Sequence, residues 1–173
     1  MAHWYMLTFI GADKPGIVAN ITQTLYDSDC NLGEASMNRL GNSFTIMTMV
    51  NTSLDAASLD KKLASACSKL SLRYHIDQVE RSQRNHPTPD ISITVSGADH
   101  AGIVAQVTNA LYDAGLDILD LNSDIAGSTE KPIYIFQIDG LATNGIESIK
   151  KAIHPFEAKG IDVSVSEIET MLG

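Results

Sequence analysis

Two cysteines, one tryptophan and twelve lysines and arginines are spread through 173 residues, and each scarcity removes a class of function. Cys30 and Cys67 stand in no Cys-x-x-Cys or Cys/His spacing, so buried thiols in a reducing cytosol are expected rather than a disulfide framework or a zinc site. The 12 cations face 21 carboxylates, for a net charge of −9, and no segment gathers them. Nucleic-acid binding rests on neutralising phosphates with Lys and Arg, so direct nucleic-acid contact is disfavoured. No apolar run approaches the roughly 18 residues of a membrane helix, and Met1-Ala-His-Trp-Tyr-Met lacks the basic start and apolar stretch of a signal peptide. A cytoplasmic protein without membrane association is expected. His3, His75, His86, His100 and His154 form no i, i+4 pair and no His-Glu-x-x-His helix. Neither Gly-x-Gly-x-x-Gly nor a Walker Gly-Lys-Ser/Thr is present. No metal, no cofactor and no enzymatic activity is expected.

What the chain does have is a repeat. Of the twenty residues from Thr8 to Asp27, twelve recur identically 86 positions later, between Thr94 and Asp113. The shared centre is Gly11-Ala12-Asp13-x-x-Gly16-Ile17-Val18-Ala19, returning as Gly97-Ala98-Asp99-x-x-Gly102-Ile103-Val104-Ala105. That period is too long for a solenoid unit and suits a small complete domain. Units of about 80 residues bury only roughly 60% of their unfolded surface, so association with one another or with a second chain is expected.

Each half reads the same way. His3–Ile10 is aromatic and β-branched and predicts a strand ending at Gly11. Ile17, Ile21 and Leu25 recur at helical spacing and predict a helix from about Pro15 to Asp29, with Pro15 in the first turn. Residues 31–40 and 43–51 predict a hairpin with Phe44, Ile46, Thr48 and Val50 on one face. A helix from Ser58 and a strand over 72–80 follow. After the polar, proline-bearing stretch 81–89, the order returns as strand 90–96, helix 101–114, strands near 117–125 and 132–139, helix 144–158 and strand 161–168. The prediction is an α+β chain of two tandem ferredoxin-like βαββαβ domains, with antiparallel sheets carrying both helices on one face. The domains span 1–81 and 90–173, joined by a linker at 82–89. In the first strand both faces are apolar, Tyr5, Leu7 and Phe9 against Trp4, Met6 and Ile10. Ile91, Ile93 and Val95 instead alternate with Ser92, Thr94 and Ser96. The open face of the first sheet is therefore expected to be covered, by the other domain or by another subunit, with a local cluster near the N-terminus as the alternative.

A strand running through a glycine turn into a helix presents free N–H groups, and those groups with the helix dipole favour an anion. The loop is too short to cradle a triphosphate; a small carboxylate fits. Asp13 and Asp99 serve equally well as N-caps accepting from the N–H of Gly16 and Gly102, and a capping carboxylate can still face an ammonium group. Five heavy atoms limit glycine to about −7.5 kcal/mol, near micromolar, which suits a metabolite sensor.

Asp13-Lys14-Pro15-Gly16-Ile17-Val18-Ala19 and Asp99-His100-Ala101-Gly102-Ile103-Val104-Ala105, each between a first strand and first helix of a βαββαβ unit, resemble the ACT domain family. That resemblance covers essentially the whole chain. It implies a non-catalytic regulatory protein that binds a small amino acid, glycine or a serine-like one, at these loops, often where two such domains pair. It also implies that the start of the second strand completes the pocket, with Asn31 and Leu32 in one copy and Asp117 and Ile118 in the other. Asn31 can accept from an ammonium and donate to a carboxylate, whereas an ionised Asp117 can only accept. Tandem pairs of this family resemble repressors of glycine cleavage that act through a DNA-binding activator. A homo-oligomer, with a dimer favoured, is expected, and the partner is that activator or another regulatory protein. A module serving a metabolic enzyme without amino-acid binding of its own is the alternative.

Overall fold

The computed structural model describes residues 2–80, 87–98, 102–128 and 131–168. The chain divides into two compact units, Met1–Gln83 and Arg84–Gly173. The first contains β1 (His3–Ala12), α1 (Ile17–Tyr26), β2 (Asn31–Leu40), β3 (Ser43–Thr52), α2 (Ala56–Leu70) and β4 (Arg73–Val79). Its counterpart contains β5 (Ile91–Ala98), α3 (Ile103–Asp113), β6 (Leu116–Ser128), β7 (Lys131–Ala142), α4 (Ile146–Glu157) and β8 (Asp162–Glu167). The sheets are antiparallel, ordered β2-β3-β1-β4 and β6-β7-β5-β8. This is the ferredoxin-like arrangement expected, once in each unit.

Period-two burial builds each core. Tyr5, Leu7 and Phe9 of β1 and Phe44, Ile46 and Val50 of β3 face one side. Ile17, Ile21 and Leu25 of α1 and Leu59, Leu63 and Cys67 of α2 cover them at helical spacing. Ile91, Ile93 and Val95 play the same part under α3 and α4. Both cysteines are buried and free, and burial pushes the Cys67 thiol up to about 11, which makes it a poor nucleophile. On the other face of the first sheet Trp4, Met6 and Thr8 are half-buried. Part of that cover is internal, because the Trp4 ring lies over the backbone at Gly33.

Helix boundaries differ from the sequence expectation for local reasons. α1 begins at Ile17, because Gly16 is left-handed at φ 85 and cannot be helical, which leaves Pro15 in the preceding turn. It stops at Tyr26, short of Asp29: Asp29 is left-handed, and the Cys30 N–H reaches back to the Leu25 carbonyl at 3.0 Å. α2 begins at Ala56, because the Asp55 carboxylate caps the Ser58 N–H at 2.8 Å.

One interaction ties β4 to α2. The Tyr74 hydroxyl donates to Asp60 Oδ1 at 2.6 Å, and its ring stacks against Phe9 at 6.3 Å. That hydrogen bond, with burial behind it, pushes the Tyr74 phenol up to about 12 from its ordinary 10.0. A raised folded-state value means stability that is whole below pH 10 and is lost as pH climbs toward 12. Alkaline titration followed by tyrosinate absorbance should show Tyr74 ionising late, together with Tyr5, whose phenol is also raised by burial; Tyr74→Phe should remove one of these late steps and reduce the loss of stability over that interval.

Candidate functional site

The repeated loop closes the end of β1. Gly16 and Gly102 take the same conformation, φ 85, ψ 0 and φ 91, ψ −1, and each opens its helix without a side-chain cap. Only glycine adopts this backbone at little cost, which is the reason for the residue in both copies. The first intrahelical bonds run from Asn20 N–H to the Gly16 carbonyl at 3.0 Å and from Gln106 N–H to the Gly102 carbonyl at 2.9 Å. The amides of Ile17, Val18 and Ala19 therefore have no acceptor within α1, and those of Ile103, Val104 and Ala105 have none within α3. Fixed positive potential of the helix terminus faces outward there on each unit.

Asp13 is not the cap that the sequence allowed. Gly16 occupies the cap position, and the Asp13 carboxylate instead forms an ion pair with Arg39 near the end of β2. The Asp13 N–H donates to the Asn42 carbonyl at 2.8 Å, so the β2–β3 turn holds the loop from beneath. Sequence reasoning missed Arg39 and Asn42. Their signal was available in the hairpin, whose turn must lie level with the end of β1 once Ala12 pairs with Ser43. Asp13 is mostly buried at 22% side-chain exposure while Arg39 is 63% exposed, so the guanidinium keeps donors free to face a ligand.

The remaining sequence-predicted residues divide. Ile17 and Ile103 are core side chains, 2% and 3% exposed, and offer only their amides outward. Lys14, Pro15 and Val18 are exposed beside the loop, as is Gly16. Asp99, His100 and Ala101 lie outside the described residues. Asn31 and Leu32 are exposed, but not beside Asp13. Leu32 pairs with Val50, which pairs with Tyr5, so it stands level with the start of β1. The loop follows Ala12, about 23 Å further along the sheet at ~3.3 Å per residue. Asp117 and Ile118 sit likewise at the Ile91 end of the second sheet, away from Gly102. Within one unit, loop and second-strand start do not form one pocket.

Both second strands begin with a β-bulge, between Leu32 and Ala35 and between Ile118 and Asp120. The copies make room for it differently. In the first unit the glycine is Gly33 on β2, opposite a valine-bearing β3; in the second it is Gly140 on β7, beside the Asp117 carbonyl. No group of three or more His, Cys, Asp or Glu side chains that could hold a metal occurs among the described residues. No described helix is long and apolar enough to cross a membrane.

Comparison with known proteins agrees with this geometry. A model of the ACT domain matches residues 3–77. The glycine cleavage system transcriptional repressor of Escherichia coli (strain K12) is 28% identical over 113 residues, 65% of this chain and 59% of that one. This chain thus spans about three fifths of the length of the curated repressors it matches. UPF0237 protein YjhC of Lactococcus lactis subsp. lactis (strain IL1403) is 33% identical over 72 residues, 41% of this chain and 83% of that one. A solved structure named as a candidate glycine cleavage system transcriptional repressor superposes with a TM-score of 0.70 at 15% identity, covering 98% of this chain and 99% of that one; it speaks for the two-unit fold. With the repeated Asp-x-x-Gly-Ile-Val-Ala loops and the βαββαβ topology of both units, these matches establish that the chain belongs to the ACT domain family, as two such domains in tandem.

Proposed function

We propose that this chain is a non-catalytic cytoplasmic regulator that binds a small amino acid, glycine first, and passes that signal to a partner protein. The carrying observation is the pairing of unclaimed first-turn amides on α1 with the Asp13–Arg39 ion pair beside them. Donors of positive potential and a carboxylate on one loop suit a zwitterion, and attraction to the helix terminus alone contributes roughly 0.3–1 kcal/mol. Asp13, Lys14, Pro15, Gly16, Ile17 and Val18 form one wall of the site. Asp99, His100, Ala101, Gly102, Ile103 and Val104 are its counterpart. The name of the repressor relatives supports transcription of glycine-cleavage genes as the output, and the net charge of −9 favours contact through a DNA-binding protein over contact with DNA.

The missing wall is supplied by a second copy in this reading. β2 is an edge strand exposed along its whole length, and its outer backbone groups are a template for another strand. An antiparallel pairing of two β2 strands centred between Ser36 and Met37 sets Glu34 of one copy opposite Arg39 of the other. The same register brings Asn31 and Leu32 to the other copy's Gly41-Asn42 turn, which carries Asp13. β6 carries Asp117, Asp120 and Asp124 with no Lys or Arg, so the same pairing there is opposed by like charges.

Calorimetry and thermal unfolding of the intact chain against the twenty amino acids test this. Glycine at 100 times its dissociation constant should add about 2.7 kcal/mol of stability. Gly16→Val should cost about 1–2 kcal/mol through backbone strain and also abolish the response of the first domain. If no amino acid moves the transition and calorimetry is flat, the chain is an interaction module for a metabolic enzyme or other protein, without amino-acid binding of its own.

A further inference from the structure

The two units differ at one place where their folds coincide. Tyr74 of β4 pairs with Phe9, and Val163 of β8 pairs with Val95, the residue 86 positions after Phe9. On the helices above, Leu59 and Leu63 correspond to the buried Ile149 and Ile153, so Asp60 corresponds to Lys150. In the first unit the Tyr74 ring spans from sheet to helix and ends on Asp60. In the second, the ring is replaced by an isopropyl group and its carboxylate acceptor by an ammonium. Phe136 restores apolar volume beside Val95, but on the β7 flank, away from β8.

What remains between α4 and β8 is a cleft of about 520 Å³ floored by Ile153, Val163 and Val165. Lys150, Lys151 and His154 stand on its rim, with Lys150 Nζ in an exposed ion pair with Glu147 at 3.0 Å, which a ligand carboxylate would share or displace, and Glu157 bonded to the His154 ring at 3.0 Å. The size lies within the range of small-molecule sites. Its apolar floor lies where the first unit places the Tyr74 ring, and its rim carries two lysines beside Glu157.

We propose that this cleft binds a small aromatic carboxylate, its ring over Ile153, Val163 and Val165 and its carboxylate toward Lys150 and Lys151. The ring takes the place that Tyr74 fills in the first unit. An acceptor is needed because the group at the ring's polar end is now a donor, and the ammonium's charge favours an anionic acceptor over a neutral one. The site is separate from the Asp13 loop and does not depend on glycine binding. Being open on one side, it should hold such a ligand with a dissociation constant on the order of a millimolar.

Titration of the methyl-labelled intact chain with 3-phenylpropionate is the test. Saturable shifts are expected at the Ile153, Val163 and Val165 methyls, and uncharged 3-phenylpropanol should bind about tenfold more weakly. The double substitution Val163→Tyr, Lys150→Asp rebuilds the first unit's closure and should abolish the remaining shifts, leaving any glycine response unchanged. If that variant does not fold, Lys150→Ser with Lys151→Ser should erase the preference for the anion over the alcohol. Absence of saturable shifts, equal binding of acid and alcohol to the unaltered chain, shifts that survive the closing substitutions, or a preference that survives the serine pair would each overturn the proposal.

Discussion

Phe9→Ala lowers the stability of the first domain by about 3–5 kcal/mol, the largest effect expected of a single substitution here. Phe9 is fully buried in the middle of β1, between Ile46 on β3 and Tyr74 on β4, and its ring stacks on Tyr74. Removing it deletes the transfer free energy of the ring and leaves a cavity that two flanking strands cannot collapse into without breaking the ladder. For a unit of about 80 residues, each 1 kcal/mol moves the transition by roughly 4–8 °C, so a fall of more than ~10 °C follows. The chain's one tryptophan is Trp4, also on β1, and its fluorescence therefore reports on this domain. Chemical denaturation read by that fluorescence should show a lower midpoint at an unchanged slope. An unmoved midpoint would mean that the first domain does not fold around β1.

Gly140→Val should destabilise the second domain by about 3 kcal/mol, at the upper end of what overpacking costs. A Cβ on Gly140 would fall on the Asp117 carbonyl oxygen and 3.2 Å from Leu116 Cδ1. The obstacle is backbone, so no side-chain rotation relieves it, and β6 must move at its bulge. The substitution is informative because Val50 occupies the corresponding position in the first domain and is fully buried there. Valine is tolerated beside one bulge and excluded beside the other, since the first domain carries its glycine on β2, at Gly33, where the second has Leu119. Adding Leu119→Gly to Gly140→Val should recover part of the loss. Hydrogen exchange of the β6 and β7 amides, alongside the denaturation midpoint, checks both expectations; unchanged protection in the single variant would contradict the clash.

Much of the fold was legible because its signals are local. The period-two alternation of Phe44, Ile46, Thr48 and Val50 names the buried face of β3, and all four are buried. The 3.6-residue spacing of Ile17, Ile21 and Leu25 names the buried stripe of α1. The candidate site was only half legible. Gly16 and Gly102 announce a left-handed turn, which is a property of single residues. The partner of Asp13 is 26 positions away, and only the pairing of β1 with β3 sets Arg39 beside it. Capping by Asp13 was a sound local rule displaced by a left-handed glycine at the cap position, which leaves the first-turn amides open, and by a cationic partner for the carboxylate.

By itself the sequence determined that one βαββαβ plan is used twice and that each copy keeps a glycine-opened helix after its first strand. Periodicity and backbone conformational preference act over a few residues, so a linear reading captures them. Tertiary structure alone decided which charge Asp13 meets, that Asn31 and Leu32 stand at the far end of the sheet from it, and that a cleft opens where Val163 replaces Tyr74. Those outcomes depend on strand register and on side chains brought together from distant positions, and neither is encoded in the spacing of neighbours.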